Sequence, residues 1–139
     1  MSIKIFYDGI KYRLKGARKI KTLIGKILEG EGRISGDINV IITNDESLRK
    51  INIEFLEHDY YTDVITFSYN VSGIVNGEIY ISIDTVRSNA LNYNVSLNNE
   101  MLRVIVHGVL HLADYEDKSE KERNNMRLRE NYWMNKLEE

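Results

Sequence analysis

Apolar positions along the chain follow two rhythms. In residues 3–7, IKIFY, they alternate, as on a half-buried strand. Leu14, Ala17, Ile20, Leu23, Ile24, Ile27 and Leu28 then recur at three- and four-residue steps, which gathers them on one face of a helix that Gly30 and Gly32 end. DINVIITN (37–44) returns to a strand-like run. Thr43 and Glu46 have the spacing of a capping box and predict a helix reaching about Leu56. TDVITFSY (62–69) and EIYISI (78–83) are rich in β-branched and aromatic residues and read as strands. Between them NVSGIVNG closes on Asn76-Gly77, which predicts a hairpin-like connection there. Asp84 is placed to cap a short helix to about Tyr93. Ser96 is placed to cap the next, LNNEMLRVIVHGVLHLADY, which is apolar nearly all round and is expected to be the central buried helix. Ser119 and Glu122 form a second capping box, opening a C-terminal helix that carries Met126, Trp133 and Leu137, with Met126 and Trp133 expected in the core.

The predicted order is β-α-β-α-β-β-α-α-α. Helices both alternate with strands and follow them, so the expected architecture is one α+β domain over residues 1–139: a mixed sheet of about four strands, packed with about five helices around the histidine-bearing one. At 139 residues, 42% apolar and 29% charged, the chain can enclose a hydrophobic core. No apolar run approaches the roughly 18 residues of a membrane span, and MSIKIFYDGIKYRL lacks the residue order of a signal peptide. The expectation is a cytoplasmic protein with no membrane partner. Cysteine is absent, which removes disulfides, thiolate nucleophiles and cysteine-based zinc sites.

A formal net charge of −2 gives no overall attraction to nucleic acid, but its distribution is uneven. From Lys11 to Lys26 the chain carries seven basic residues, Arg18 and Lys19 among them, and no acid. Because screening limits each charge to about 10 Å, such a face can bind phosphates on an acidic protein. It can equally be a solvated helix face.

The chemistry concentrates in HGVLHLADYED, residues 107–117. His107 and His111, four apart on a helix, stack on one side with both imidazoles in reach of a single metal ion. In so apolar a helix, neutral rings need partners to offset desolvation, so they are either core histidines satisfied by hydrogen bonds or metal ligands. Gly108 costs the helix about 1 kcal/mol relative to alanine; its missing side chain admits either a substrate or a closely packed neighbour. A third ligand is available from Asp114, Glu116 or Asp117. The zinc-protease motif HExxH would require Glu at position 108, so peptide hydrolysis by that arrangement is disfavoured.

HGVLHLADYED resembles the HGxLHLxGYDH signature of YbeY-type proteins, bacterial zinc endoribonucleases. NIEFLEHDYYTDVITFSY resembles the family's segment leading into TDVLSFP, and GEIYIS its GDIxIS strand. Together with length and element order, the resemblance covers nearly the whole chain. It implies a zincin-like fold and an enzyme that cleaves single-stranded RNA. It further implies a role in ribosomal RNA maturation and ribosome quality control, with ribosomal RNA and possible contacts to ribosomal proteins or the small subunit as partners. The implied cofactor is one zinc ion held by His107, His111 and the residue at the family's third-histidine position.

That position is Asp117 here. Carboxylate oxygen ligates zinc at about 2.0–2.2 Å; the change lowers the site's charge by one, which raises the pKa of a bound water and makes iron or manganese more credible. The motif's glycine is Asp114, which tolerates a left-handed conformation better than most residues. An arginine the family commonly carries, the natural phosphate clamp, falls at Leu56. That loss keeps a second reading open: a ribosome-assembly binding factor with a structural metal. A third, a metal-dependent hydrolase of another ester or amide, is less favoured. His58 is a candidate substitute for the clamp or an ordinary loop histidine. Arg103, one turn before His107, either faces phosphate as part of the catalytic set or pairs with an acid inside the fold. Tyr60 and Tyr61 either stack on bases or pack at the rim, and Asp63, Thr66 and Ser68 either line a groove beside the metal or hold the strand and its turn.

Overall fold

The computed structural model describes residues 2–137. Its elements are β1 (Ser2–Tyr7), α1 (Ala17–Gly30), β2 (Ile34–Thr43), α2 (Asp45–Leu56), β3 (Val64–Ser68), β4 (Ile74–Ser82), α3 (Ile83–Asn92), α4 (Leu97–Leu112) and α5 (Glu120–Leu137), in the predicted order. The four strands form one sheet in the order β1-β2-β4-β3. β1 pairs parallel with β2 and β2 with β4, while β3 runs antiparallel to β4 and lies at one edge. The fold is therefore α+β with a mixed sheet, as expected.

One face of the sheet is sealed. Ile38, Val40 and Ile42 of β2 alternate inward with Ile79 and Ile81 of β4, all fully buried, and join Ile24, Ile27 and Leu28 of α1 and Val106, Val109 and Leu110 of α4 in a single core. α4 packs against β3, β4, α1, α3 and α5, which makes it the central helix of the domain. Two glycines let it lie this close. A Cβ at Gly108 would stand 2.8 Å from Ile79 Cγ2, and one at Gly77 would stand 2.7 Å both from Leu112 Cδ2 and from the Phe67 carbonyl oxygen. Gly108 thus serves the packing of helix on sheet, the second of the two roles open to it.

Three local expectations are corrected. The cap of α2 is Asn44, whose side chain accepts the Ser47 N–H at 2.9 Å; Thr43 is held in the β2 ladder opposite Ser82, and its hydroxyl donates to the Asp8 carbonyl at 3.0 Å. The cap of α3 is Ser82, which accepts the Thr85 N–H at 3.3 Å, while Asp84 accepts from the Asp45 N–H at 2.9 Å. The hairpin turns at Ser72-Gly73, whose φ angles are 51° and 80°, not at Asn76-Gly77. Asn76 instead sits inside β4, where its side-chain oxygen accepts the Asp37 N–H of β2 at 2.8 Å. Ser96 does cap α4, accepting the Asn99 N–H at 3.0 Å. The Ser119–Glu122 box forms in both directions, at 2.9 and 3.1 Å.

α4 ends in a reversal that turns the chain back along the helix. Asp114 takes φ 75°, and the Tyr115 N–H bonds back to the Leu110 carbonyl at 3.0 Å, a Schellman-type closure. Arg33 donates to the Ala113 carbonyl at 3.2 Å and pairs with Asp114 at 3.3 Å, tying the β2 end of the sheet to the turn. The loop beyond is fastened by Glu31, just past α1. Its carboxylate accepts the Tyr115 hydroxyl at 2.7 Å, the Trp133 indole N–H at 2.8 Å and the Arg129 Nε–H at 3.0 Å. Burial raises the pKa of Glu31, but these three donors outweigh it and hold the carboxyl below the usual glutamate range.

A group with a depressed folded-state pKa contributes stability above its unfolded value, and that contribution disappears as pH falls through the folded value. Glu31→Gln is therefore expected to destabilise the protein by about 1–3 kcal/mol near neutral pH, since one amide cannot accept from all three donors. The deficit relative to wild type should shrink below the ordinary glutamate range. Denaturant unfolding of both proteins at pH 7 and pH 3 checks this; an undiminished gap at pH 3 would show that the charge contributes nothing.

Candidate metal centre

α4 places His107 and His111 on one face, and the reversal at Asp114 brings Asp117 back over them. His107 Nε2 and His111 Nε2 are 3.0 Å apart, and Asp117 Oδ2 lies 3.2 Å from His111 Nε2 and 3.3 Å from His107 Nε2. Three donors bound to one ion tetrahedrally at about 2.0–2.1 Å would be separated by about 3.3 Å, so the triangle matches the face of a tetrahedral site. Among the described residues this is the group of His, Asp and Glu side chains able to share an ion.

The other nitrogen of each ring is occupied. His111 Nδ1 lies 2.9 Å from the Tyr115 carbonyl oxygen, which can only accept, so Nδ1 carries the proton and Nε2 faces the triangle as a lone pair. His107 Nδ1 lies 2.6 Å from Glu130 Oε2 of α5 and donates to it in the same way. With each Nδ1 proton committed outward, the two Nε2 atoms and the carboxylate oxygen converge at about 3 Å, a spacing that a cation among them, either a proton on His107 Nε2 or a metal ion, turns from repulsive to attractive. The donor set therefore fits a divalent metal ion, and the tethers on Nδ1 are those that orient metal-binding histidines.

Glu130 is itself held by Arg103, whose Nη1 donates to Oε1 at 3.0 Å. Burial raises the pKa of Glu130, but the bond to His107, the charge of His107 and then Arg103 outweigh it, so the carboxyl stays below its usual range. Conversely, burial works against protonation of His107, but Glu130, with Asp117 and Asp63 beyond it, outweighs burial and raises its pKa. Of the two partners open to Arg103, a phosphate or an acid within the fold, the structure shows the acid. Asp63 lies nearby with its carboxylate 3.4 Å from Asn89 Nδ2 and its carbonyl 2.9 Å from the Ser82 N–H; burial pushes its carboxyl above the usual range.

The triangle lies between two cavities. One, of about 240 Å³, runs towards Arg103, Arg123, Arg127 and Tyr93. The other, of about 330 Å³, runs along β3 past Thr66 and Thr62 to Leu56 and Tyr60. Asp63, Val64, His107 and Asp117 line both. His58 is outside them, its ring stacked on Tyr60. Arg18 and Lys19 are elsewhere: exposed on α1, with Lys19 beside Asn99 near the start of α4. That is three turns, about 18 Å, from His111 along the helix axis. Ser68 is exposed at the far end of β3.

Sequence reasoning missed Glu130. The signal was present: Glu130 falls four residues after Met126 and three before Trp133, an acid within the buried stripe of α5, and it is 4% exposed. The Tyr115 carbonyl left no comparable mark, and neither did Asn52, a buried residue of α2 that lines the second cavity.

Comparison with known proteins agrees with this geometry. The family model described as endoribonuclease YbeY matches residues 10–138. Proteins named endoribonuclease YbeY are 44% identical over 121 residues in Chlorobaculum tepidum, covering 87% of this chain and 85% of that one, and 45% identical over 116 residues in Chloroherpeton thalassium, covering 84% and 82%. A third, from Christiangramia forsetii, is 38% identical over 125 residues, covering 90% and 87%. The solution structure of a Thermotoga maritima protein superposes with a TM-score of 0.66 at 28% identity, covering 98% of this chain and 89% of that one. By its sequence over nearly its full length, the chain belongs to the endoribonuclease YbeY family.

Proposed function

We propose that the protein is a metal-dependent endoribonuclease that hydrolyses single-stranded RNA, with His107, His111 and Asp117 as the metal ligands. The observation that carries this is the triangle of Nε2, Nε2 and Oδ2 at 3.0–3.3 Å with each Nδ1 tethered. Zinc suits two imidazoles and a carboxylate, with iron or manganese as alternatives. The substrate proposed is ribosomal RNA, in its maturation and in ribosome quality control, with the small subunit or ribosomal proteins as partners and the cytoplasm as the place of action. Among the described residues no helix is long and apolar enough to cross a membrane.

A divalent cation bound there supplies Lewis acidity at a phosphodiester oxygen and an acidified water as nucleophile. The chain's own groups set the geometry for that chemistry. Glu130 and the Tyr115 carbonyl fix the two rings, and Arg103, after His107 itself, helps hold the Glu130 carboxyl below its usual range. On this reading Arg103 is a positioning residue acting through Glu130 rather than a group touching the substrate. The two cavities, which share Asp63, Val64, His107 and Asp117 in their linings, are the proposed path of the strand across the triangle. Structural zinc sites are closed by four protein ligands, whereas catalytic ones keep a position open beside three. Three ligands with cavities on both sides favour catalysis over the binding-factor reading. Arg18 and Lys19 then serve as a distal contact with backbone phosphates, and His58 acts through its stacking partner.

Three outcomes test this. Elemental analysis should find about one equivalent of metal in wild type, and His111→Ala and Asp117→Ala should lose both metal and RNA cleavage with little change in far-UV circular dichroism; cleavage surviving in either variant would exclude this centre. Glu130→Gln should retain metal less tightly, by about 10–100-fold, and lose activity accordingly. Equal affinity in a metal-competition titration would reduce Glu130 to a packing residue. Reversing Arg18 and Lys19 to Glu should weaken RNA binding at low salt and flatten its salt dependence. An unchanged slope would remove the α1 face from the substrate path.

A further inference from the structure

The segment after α2 is built with more care than a connecting loop requires. Asn52, 1% exposed, holds it from beneath: its carbonyl accepts the His58 N–H at 3.1 Å, and its side-chain amide donates to the Tyr60 carbonyl at 3.0 Å. Glu57 takes a left-handed φ of 57° to start the loop, and Arg49 clamps Asp59 at 2.8 Å. The product is a pair of rings. His58 and Tyr60 lie with centroids 5.2 Å apart and planes inclined by 21°, locked by a 3.0 Å contact between the Tyr60 hydroxyl and His58 Nδ1. Tyr60 remains 54% exposed, and it stands at the end of the cavity that leads past Leu56 and Thr62 to His107, His111 and Asp117.

The wall around it carries no cation: Leu56, Tyr60, Thr62 and Asn52 are apolar or neutral. Phosphate would find no partner at this end, whereas the face of a nucleobase would. Tyr61 makes the contrast, since its ring lies 5.7 Å from the Arg49 guanidinium and outside the cavity.

Resting on the endoribonuclease reading above, we infer that Tyr60, backed by the His58 ring, is the stacking platform for one unpaired base of the RNA strand whose backbone crosses the metal centre. Recognition at this end of the groove is then by the π-face of a base rather than by charge. A base–aromatic stack contributes affinity that tolerates sequence but needs the base to be unpaired, and so this contact selects single strands. It also accounts for how a chain with leucine at position 56 keeps hold of its substrate there.

The test is an abasic scan. Short single-stranded RNAs, each lacking the base at one position, are cleaved by the metal-loaded wild type, Tyr60→Ala, Tyr60→Phe and Tyr61→Ala. In wild type, one abasic position at a fixed distance from the cut should raise KM about tenfold with little change in kcat. Tyr60→Ala should show a raised KM on intact RNA and no further penalty at that position. Tyr60→Phe, which keeps the ring, and Tyr61→Ala should retain the penalty, whereas Tyr60→Leu, assayed alongside them to keep bulk without a ring, should lose it. The KM difference between Tyr60→Ala and wild type should persist at raised salt, unlike that of a phosphate contact. A wild type indifferent to every abasic position, or a penalty undiminished in Tyr60→Ala, overturns the inference and leaves the nuclease reading standing. Failure of metal-loaded wild type to cleave any of the RNAs overturns both.

Discussion

Two imidazoles one helical turn apart reach the same ion only if both rings are rotated to the same side and kept there. An unheld ring in a half-open site would sample several orientations, and each donor lost costs affinity and geometry. Here the rotation is enforced by one hydrogen bond to each Nδ1, and the remainder of the structure delivers those two acceptors. Glu130 requires α5 to lie along α4. The Tyr115 carbonyl requires the chain to double back at Asp114. Both depend on Glu31, which binds Tyr115 on the loop and Trp133 and Arg129 on α5 through a single carboxylate. Behind α4, the glycines at 77 and 108 let the helix seat on β4 without displacing Ile79 or Leu112.

The departures from the family signature fall within this scheme. Asp117 replaces an imidazole with a carboxylate oxygen, yet it completes the triangle with nearly the same spacing to both nitrogens. Asp114 occupies a left-handed position where glycine would be unstrained, and the contact with Arg33 gives its side chain a role in holding the turn. Leu56 leaves one end of the groove without a cation, while the cavity on the opposite side of the triangle mixes Arg103, Arg123 and Arg127 with Asp63, Glu100, Asp117 and Glu130.

Much of this was legible in the sequence because it is encoded locally. Hydrophobic spacing, β-branched and aromatic composition and capping signals together located the strands and helices in order. Ser96 and the Ser119–Glu122 box marked helix starts correctly since a cap acts within three residues. Thr43 and Asp84 misled because equally good capping residues, Asn44 and Ser82, stood close by, and the choice was settled by strand pairing rather than by the helix. Asn76-Gly77 looked like a turn, but the Asn76 amide was needed across the sheet by Asp37 and the missing Cβ of Gly77 by Leu112. The three residues of the candidate metal centre were visible for the same local reason, all lying within one short stretch. Glu130, 23 residues from His107, and Asn52, which acts only through the loop it anchors, belong to tertiary structure and had no periodic signature strong enough to single out their partners.

The compactness of that stretch has a thermodynamic consequence. His107, His111 and Asp117 are separated by so few residues that closing a loop between them costs little chain entropy. An unfolded or nascent chain can therefore gather the same three donors around an ion, though without the tethers that orient the rings. Since an ion stabilises the fold only through its preference for the native over the unfolded state, part of its binding energy here goes to both states alike. The metal's grip on the chain and its contribution to the fold are in this protein separate quantities. The difference between them is what Glu130 and the Tyr115 carbonyl provide.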